Sequence, residues 1–132
     1  MNSRTEPNSV TRDILSRWGG RPALLREGFV AVPTTFLKYY SKLVPQLTPT
    51  EALFILELVV YKWDQRAPFP SYKSLADRMG VSETYARKLA RGLQAKGYLT
   101  REARTGTTNR FDLGPFFERL AVQVENIHTP AE

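Results

Sequence analysis

The sequence predicts a mainly α-helical fold with one small β-hairpin, and three observations lead to this prediction. Apolar residues recur at helical spacing in several segments, and these segments are preceded by Ser, Thr or Pro and ended by Gly or Pro. Strand-like stretches are short, and the longest ones flank a turn-rich segment near the C-terminus. The chain has 132 residues, of which 42% are hydrophobic, and this suits a single compact domain with a real core.

Both ends of the chain are expected to lie outside the folded domain. Residues 1–21 are predicted to form a flexible arm with one helical turn, from Val10 to Trp18, that Gly19-Gly20 ends. Residues 126–132 have the composition of a polar tail. The domain itself is therefore expected over residues 22–125.

The domain is predicted to begin with a short strand and a helix. Phe29–Val32 is an apolar run with two β-branched residues, which is typical of a strand, and Pro33 closes it. Thr34 or Thr35 is then expected to cap a helix that ends before Pro45.

A second helix carries the clearest start signal in the chain. Thr48 offers a capping hydroxyl and Glu51 follows three residues later, which is the capping-box pattern. The helix is expected to run to about Asp64 or Gln65. Because its segment Ala52–Tyr61 is apolar on nearly every side, it needs cover on every side, from the domain core or from a second subunit.

Residues 71–96 have the pattern of a helix-turn-helix. Ser71 and Ser82 are suited to cap two successive helices, and Gly80 is suited to end the first of them. Val81 is expected to fill the turn as a buried aliphatic residue. In this motif the second helix enters the major groove of DNA with its N-terminal end leading.

A β-hairpin is predicted directly after these two helices, over residues 98–113. Its strands are expected at Tyr98–Arg104 and Arg110–Leu113, on either side of a turn-rich segment. A C-terminal helix is predicted at about 115–125. Together these elements describe a winged helix-turn-helix, which is mainly α with a small β-hairpin wing.

The basic residues are concentrated in the same segment. The chain carries 19 Lys and Arg against 13 Asp and Glu, for a formal net charge of +6. Between Arg66 and Phe111, ten basic residues stand against three acidic ones, so this segment alone carries +7 and the remainder −1. A one-sided positive field favours a polyanionic partner, with nucleic acid first.

The second helix of the motif and the hairpin supply the candidate DNA contacts. The helix residues expected at the DNA are Ser82, Thr84, Tyr85, Arg87, Lys88 and Arg91. The hairpin residues, which can reach phosphates or the minor groove, are Arg104, Thr107, Thr108, Asn109 and Arg110. For Asn109, ordinary turn chemistry is an equal alternative. Glu83 is expected to favour the helix dipole rather than to contact a cytosine.

Catalytic chemistry has little support in the sequence. The chain has no cysteine, one histidine, no G-x-x-x-x-G-K loop and no paired carboxylates, so we expect no enzyme, no metal and no cofactor. The most apolar run is too short to cross a bilayer, and the first 20 residues lack a signal-type apolar core. A cytoplasmic protein without a membrane partner is expected.

From Leu47 to Leu113 the chain resembles the winged helix-turn-helix domain of phage and plasmid replication proteins and related bacterial regulators. The stretches that carry the resemblance include Phe69-Pro70-Ser71-Tyr72, Gly80-Val81-Ser82, Leu93-Gln94-Ala95-Lys96-Gly97-Tyr98-Leu99 and Thr108-Asn109-Arg110-Phe111-Asp112-Leu113. The resemblance implies sequence-specific binding of double-stranded DNA, in transcriptional regulation or in replication control. The upstream strand and helix resemble the start of plasmid initiator N-terminal domains, where they can help to form a dimer.

Several alternatives stay open at this point. Relatives of this kind usually carry a second domain, so the chain is expected to be either the DNA-binding fragment of a replication initiator or a free-standing regulator. The apolar helix and the aromatic residues at 36, 39, 40, 116 and 117 suit a homodimer or packing within one monomer. A protein–protein adaptor, with a replication or transcription protein as its partner, is the alternative function. Gly92, in mid-helix, is expected to mark a close approach to the apolar helix.

Overall fold

The computed structural model describes residues 8–62, 70–103, 106 and 109–128. The chain divides into two compact units, Met1–Ala31 and Val32–Glu132. This boundary lies later in the chain than the one expected at residue 21.

The first unit holds a helix, α1 (Ser9–Arg17), and a 3₁₀ turn at Pro22–Leu25. The helix corresponds to the predicted helical turn and begins one residue earlier, because Asn8 Oδ1 caps it by accepting the Thr11 amide hydrogen at 2.8 Å. Neither α1 nor the turn contains a buried residue. The strand predicted at Phe29–Val32 is not formed. A strand needs a partner, and the two strands in the described part of the chain pair with each other.

The second unit contains five helices and a hairpin among its described residues. In chain order these are α2 (Thr34–Tyr39), α3 (Pro49–Val60), α4 (Tyr72–Met79), α5 (Glu83–Ala95), β1 (Thr100–Ala103), β2 (Asn109–Asp112) and α6 (Gly114–His128). A 3₁₀ turn at Tyr40–Lys42 follows α2. The α2 helix begins at Thr34, so the cap position falls to Pro33 and neither threonine caps the helix with its side chain, contrary to the prediction.

The α3 helix has the predicted capping box. Thr48 Oγ1 accepts the Glu51 amide hydrogen at 3.1 Å, and Glu51 Oε1 accepts the Thr48 amide hydrogen at 2.9 Å. The helix ends at Val60 rather than near residue 64. One side of α3 is buried and the other leaves Leu53 and Val60 exposed, so the described residues of one subunit do not cover the helix on every side, and cover by a second subunit stays a prediction.

The two helices predicted over residues 71–96 form, and a short turn joins them. Ser71 and Ser82 cap α4 and α5 through hydrogen bonds to backbone amides, and Gly80 ends α4 with a left-handed backbone, φ = 70°. Val81 is half-buried against the core, and its amide donates to the Ala76 carbonyl at 3.0 Å. This turn fixes the angle between α4 and α5, and therefore the direction in which α5 points.

The hairpin is shorter than predicted but lies in the predicted place. Its antiparallel register joins Arg101 to Phe111 and Glu102 to Arg110. In β2 buried and exposed residues alternate, so Phe111 enters the core while Arg110 faces solvent. The last helix, α6, continues to His128, so the first residues of the predicted polar tail are helical.

The core lies where these elements meet. It is built from one side of α3, the inner sides of α4 and α5, and aromatic residues from α2, the hairpin and α6. Phe54 and Tyr72 each meet the Phe111 ring edge-on, and Phe36 and Tyr98 meet Phe116 in the same way. Such edge-to-face pairs hold ring positions more tightly than aliphatic contacts do. One face of α5 therefore packs against the core, and the opposite face is exposed to solvent.

Candidate nucleic-acid interface

The outer face of α5 is the most regular exposed surface of the helix-turn-helix. Ala86, Leu89, Ala90 and Leu93 are the buried residues of α5. Thr84, Lys88 and Arg91 follow one another at spacings of four and three, which puts them on one line along the opposite face. All three are exposed. The helix therefore presents two cations and a hydroxyl along one solvent-facing line.

Lys88 and Arg91 make no ion pair with any residue in the part of the chain that the structure describes. Arg87 differs from them, because its Nη2 lies 3.6 Å from Glu83 Oε2 and its guanidinium stacks 4.8 Å from the centre of the Tyr72 ring. On the predicted basic face of α5, two cations therefore have no ion-pair partner among the described residues, and the third, Arg87, is held by Glu83 and Tyr72.

The N-terminal end of α5 carries the other predicted helix contacts. Ser82 Oγ accepts the Tyr85 amide hydrogen at 3.0 Å, so this hydroxyl serves the helix cap. Tyr85 is 38% exposed on the flank of α5 that faces the start of α3. Glu83 lies in the first turn of α5, where a carboxylate interacts favourably with the helix dipole.

The described part of the hairpin contains two of the five predicted contact residues, Asn109 and Arg110. Arg110 is exposed, and its Nη1 lies 3.8 Å from Glu102 Oε2 on the paired strand. Arg104, Thr107 and Thr108 lie outside the described residues.

Asn109 is a correction to the predicted site. Its side chain is 4% exposed, so it cannot be a DNA contact. Asn109 Oδ1 accepts from Arg101 Nε at 2.9 Å, and both its backbone amide and Nδ2 donate to the Pro70 carbonyl, at 3.2 and 3.4 Å. The residue ties the start of β2 to the residues just before α4, through contacts across the fold rather than through the ordinary turn chemistry that was the expected alternative.

Two residues outside the predicted set lie at the same surface. Arg101 of β1 is exposed, and its guanidinium lies 5.5 Å from the centre of the Tyr72 ring. Tyr72 of α4 thus touches cations from both α5 and the hairpin. Arg101 is one of the ten basic residues between Arg66 and Phe111. The linear sequence does not show that Arg101 and Arg87 contact the same ring, because this depends on the strand register and on the angle between α4 and α5.

Other kinds of site have no support in the described residues. Those residues include no group of three or more His, Asp or Glu side chains arranged to hold a metal ion. No helix in the part that the structure describes has both the length and the apolarity to cross a membrane.

Comparison with known proteins gives the family. Residues 32–130 match the DnaD N-terminal domain, which is three quarters of the chain. The chain belongs to the DnaD N-terminal domain family. Among solved structures it is similar to the N-terminal domain of the DnaD protein from Geobacillus kaustophilus HTA426. The two chains are 25% identical, with a TM-score of 0.63 over 87% of this chain and 91% of the other. No curated protein matches the chain.

Membership of the DnaD N-terminal domain family establishes the function at a coarse level. The chain is a DNA replication protein domain of the kind associated with replication initiation in bacteria. This agrees with the replication part of the expectation drawn from the sequence. The match does not support the expected association with plasmids or phages, nor the expected role in transcription.

Proposed function

We propose that this DnaD-type domain binds double-stranded DNA through α5 and the hairpin during the initiation of replication. The observation that carries the proposal is the line formed by Thr84, Lys88 and Arg91 on the outer face of α5. Cations that lack an intramolecular partner are free to neutralise phosphates, and the counterions released on binding supply much of the affinity. No catalytic step is part of the proposed function.

The geometry of α5 suits the major groove. An α-helix with its side chains is about 10–12 Å across, close to the width of about 12 Å of the groove in B-DNA. Exposed arginines at the groove can contact the O6 and N7 atoms of guanine, and hydroxyls such as that of Thr84 can contact bases or phosphates. We therefore propose sequence-specific binding, with the hairpin as the wing that contacts the flanking backbone.

Fluorescence anisotropy with a labelled duplex tests this proposal. Lys88→Gln combined with Arg91→Gln should weaken binding at least tenfold at 100 mM salt. It should also reduce the slope of log affinity against log salt by about 2, since the slope changes by about 0.9 for each phosphate contact. The matched control is Lys38→Gln combined with Lys42→Gln, which removes the same charge from exposed positions at α2. Equal losses in both double variants would mean that net charge, and not α5, determines binding.

Sequence specificity needs a second measurement, the selection of the tightest binders from a pool of random duplexes. Enrichment of a short inverted repeat supports a dimeric protein that recognises a sequence. Lys88→Ala combined with Arg91→Ala should then abolish the preference while circular dichroism stays unchanged, because both side chains are exposed. Enrichment that survives this substitution would contradict the assignment of α5 to the major groove.

The exposed side of α3 favours a second candidate function, binding to another protein or to a second copy. Leu53 and Val60 are 45% and 36% exposed, and their spacing of seven residues puts them on one side of the helix. Large apolar side chains that share an exposed side are typical of interaction surfaces. Weak DNA binding that does not respond to salt, together with a molar mass above 15.1 kDa in light scattering, would favour this alternative.

A further inference from the structure

A tyrosine surrounded by arginines lies where α4, α5 and the hairpin meet. The Tyr72 ring is 6% exposed and meets Phe111 edge-on in the core. The guanidinium carbons of Arg87 and Arg101 lie 4.8 and 5.5 Å from the centre of this ring. One cation comes from α5 and the other from β1, so two separate elements bring positive charge to the same aromatic ring.

Arg101 is held in place by a hydrogen bond to the buried residue Asn109. Asn109 Oδ1 accepts its Nε hydrogen at 2.9 Å, and Asn109 is itself tied to the Pro70 carbonyl. This contact uses the Nε–H of the guanidinium, and a second hydrogen bond joins Arg101 to the Tyr72 hydroxyl. Because a guanidinium has five N–H donors and Arg101 is exposed, further donors remain for an external ligand. A guanidinium that is fixed before binding loses less side-chain entropy when it binds.

The charges around the tyrosine hydroxyl are mostly positive. Burial raises the pKa of Tyr72 above its ordinary value of 10.0, and the charges of Arg101, Arg87 and Arg91 oppose this increase. The hydroxyl is therefore protonated at neutral pH and remains a donor. Glu83 offsets part of the Arg87 charge at 3.6 Å, whereas Glu102 lies beside Arg110.

We infer that Arg87, Arg101 and the Tyr72 hydroxyl form a binding site for one backbone phosphate of duplex DNA, with Arg91 adding charge beside it. The inference rests on the proposed DNA-binding function and adds to it a site that joins α5 to the hairpin. Guanidinium nitrogens match the oxygens of a phosphate, which accepts several donors at once. Such a contact carries no base information, and it sets the depth and register of α5 in the groove.

The first test is a change at Arg101. Arg101→Gln should weaken binding of every duplex sequence to a similar extent, and it should reduce the salt slope by about 0.9, as expected for one lost phosphate contact. Arg101→Lys keeps the charge and loses the fixed planar group, so it should retain the slope and recover part of the affinity. Lys42→Gln is the charge control. If Arg101→Gln binds like the wild type while Lys88→Gln with Arg91→Gln abolishes binding, the phosphate site is wrong and the proposed function stands.

The second test uses inorganic pyrophosphate and the Nε–Hε resonances of the arginines in ¹H–¹⁵N spectra. Saturable shifts at Arg87 and Arg101, absent at Arg110 and lost at Arg87 in Arg101→Gln, support the site. If these shifts occur while no duplex perturbs α5, the site binds a free phosphate compound, which overturns both DNA as its ligand and the proposed function. If neither pyrophosphate nor duplex shifts Arg87 or Arg101, the inference is overturned.

Discussion

Gly92 of α5 lies directly against Glu51 of α3: a Cβ atom on Gly92 would come within 3.2 Å of Glu51 Oε2. This confirms the expectation that glycine at this position marks a close approach to the apolar helix. The Glu51 carboxylate has little room to move away, because Oε1 accepts hydrogen bonds from the Thr48 amide and, at 2.6 Å, from Lys96 Nζ. The contact explains why a residue that weakens helices stands in the middle of α5.

The effect of Gly92→Ala should therefore depend on Glu51. Alanine normally stabilises the middle of a helix by about 1 kcal/mol relative to glycine. We expect no net gain in the wild-type background, because the carboxylate must shift, and the full gain of about 1 kcal/mol in a Glu51→Ala background. Urea unfolding of the wild type, both single variants and the double variant measures this coupling. Strictly additive free energies would mean that the contact is without strain.

Val81→Asp tests the position of the turn between α4 and α5. Val81 is half-buried against the core, so an aspartate there would lose hydration without gaining a partner. We expect the free energy of unfolding to fall by about 2 kcal/mol. Thermal melting gives the readout, and Lys88→Asp on the exposed face of α5 is the control, with a change below about 0.5 kcal/mol. Equal melting temperatures for wild type and Val81→Asp would contradict the packing of this turn.

Asn109→Ala tests the structural role assigned to the buried amide. The substitution removes the side-chain hydrogen bonds with Pro70 and Arg101, and we expect a loss of about 1–2 kcal/mol in unfolding free energy. The neighbouring Arg110→Ala is the matched control, because Arg110 is exposed and its surface ion pair contributes little. Similar small effects at both positions would show that the amide does not hold the hairpin.

The Tyr72→Phe variant tests how Tyr72 makes the free energy of unfolding depend on pH. Burial raises the pKa of Tyr72 in the folded protein above 10.0, so the unfolded chain ionises first as the pH rises. The contribution of Tyr72 to the free energy of unfolding is therefore fully present below pH 10.0, and it is lost as the pH rises toward the pKa of Tyr72 in the folded state. Urea unfolding from pH 8.5 upward should show the wild type losing stability relative to Tyr72→Phe above about pH 10. A constant difference between the two proteins would contradict the direction of the shift.

Features governed by local chemistry could be predicted from the sequence. Caps act within three or four residues, so Thr48, Ser71 and Ser82 predicted the starts of α3, α4 and α5 correctly, and Gly80 predicted the end of α4. The strand expected at Phe29–Val32 was wrong, because strand formation depends on a partner elsewhere in the chain.

The residues of the candidate site also fall into two groups: those that a local pattern predicts and those that depend on the three-dimensional fold. The exposure of Lys88 and Arg91 follows from helical periodicity and was predictable. The burial of Asn109 depends on the start of β2 and on its distance from α4, which no local pattern encodes. The meeting of Arg87 and Arg101 on Tyr72 requires the three-dimensional arrangement of three elements. Distant residues that share one partner are therefore the part of the site that sequence reasoning misses.

The loop before α3 is held by three donors, one from α6 and two from the connection between α5 and β1. Arg119 Nη1 of α6 donates to the Val44 carbonyl at 3.3 Å, Lys96 Nζ donates to the Gln46 carbonyl at 2.8 Å, and the Tyr98 hydroxyl donates to the carbonyl of the proline between them. The Val44 side chain is nevertheless 86% exposed.

In this loop an exposed side chain therefore does not mean that the backbone is free to move away from the fold. A protease must pull a segment of backbone out of its surroundings before it can cleave, and here this would break three hydrogen bonds, to α6 and to the connection between α5 and β1. The loop should belong to the same cooperative unfolding unit as the core, and limited proteolysis should leave it intact until the whole second unit unfolds.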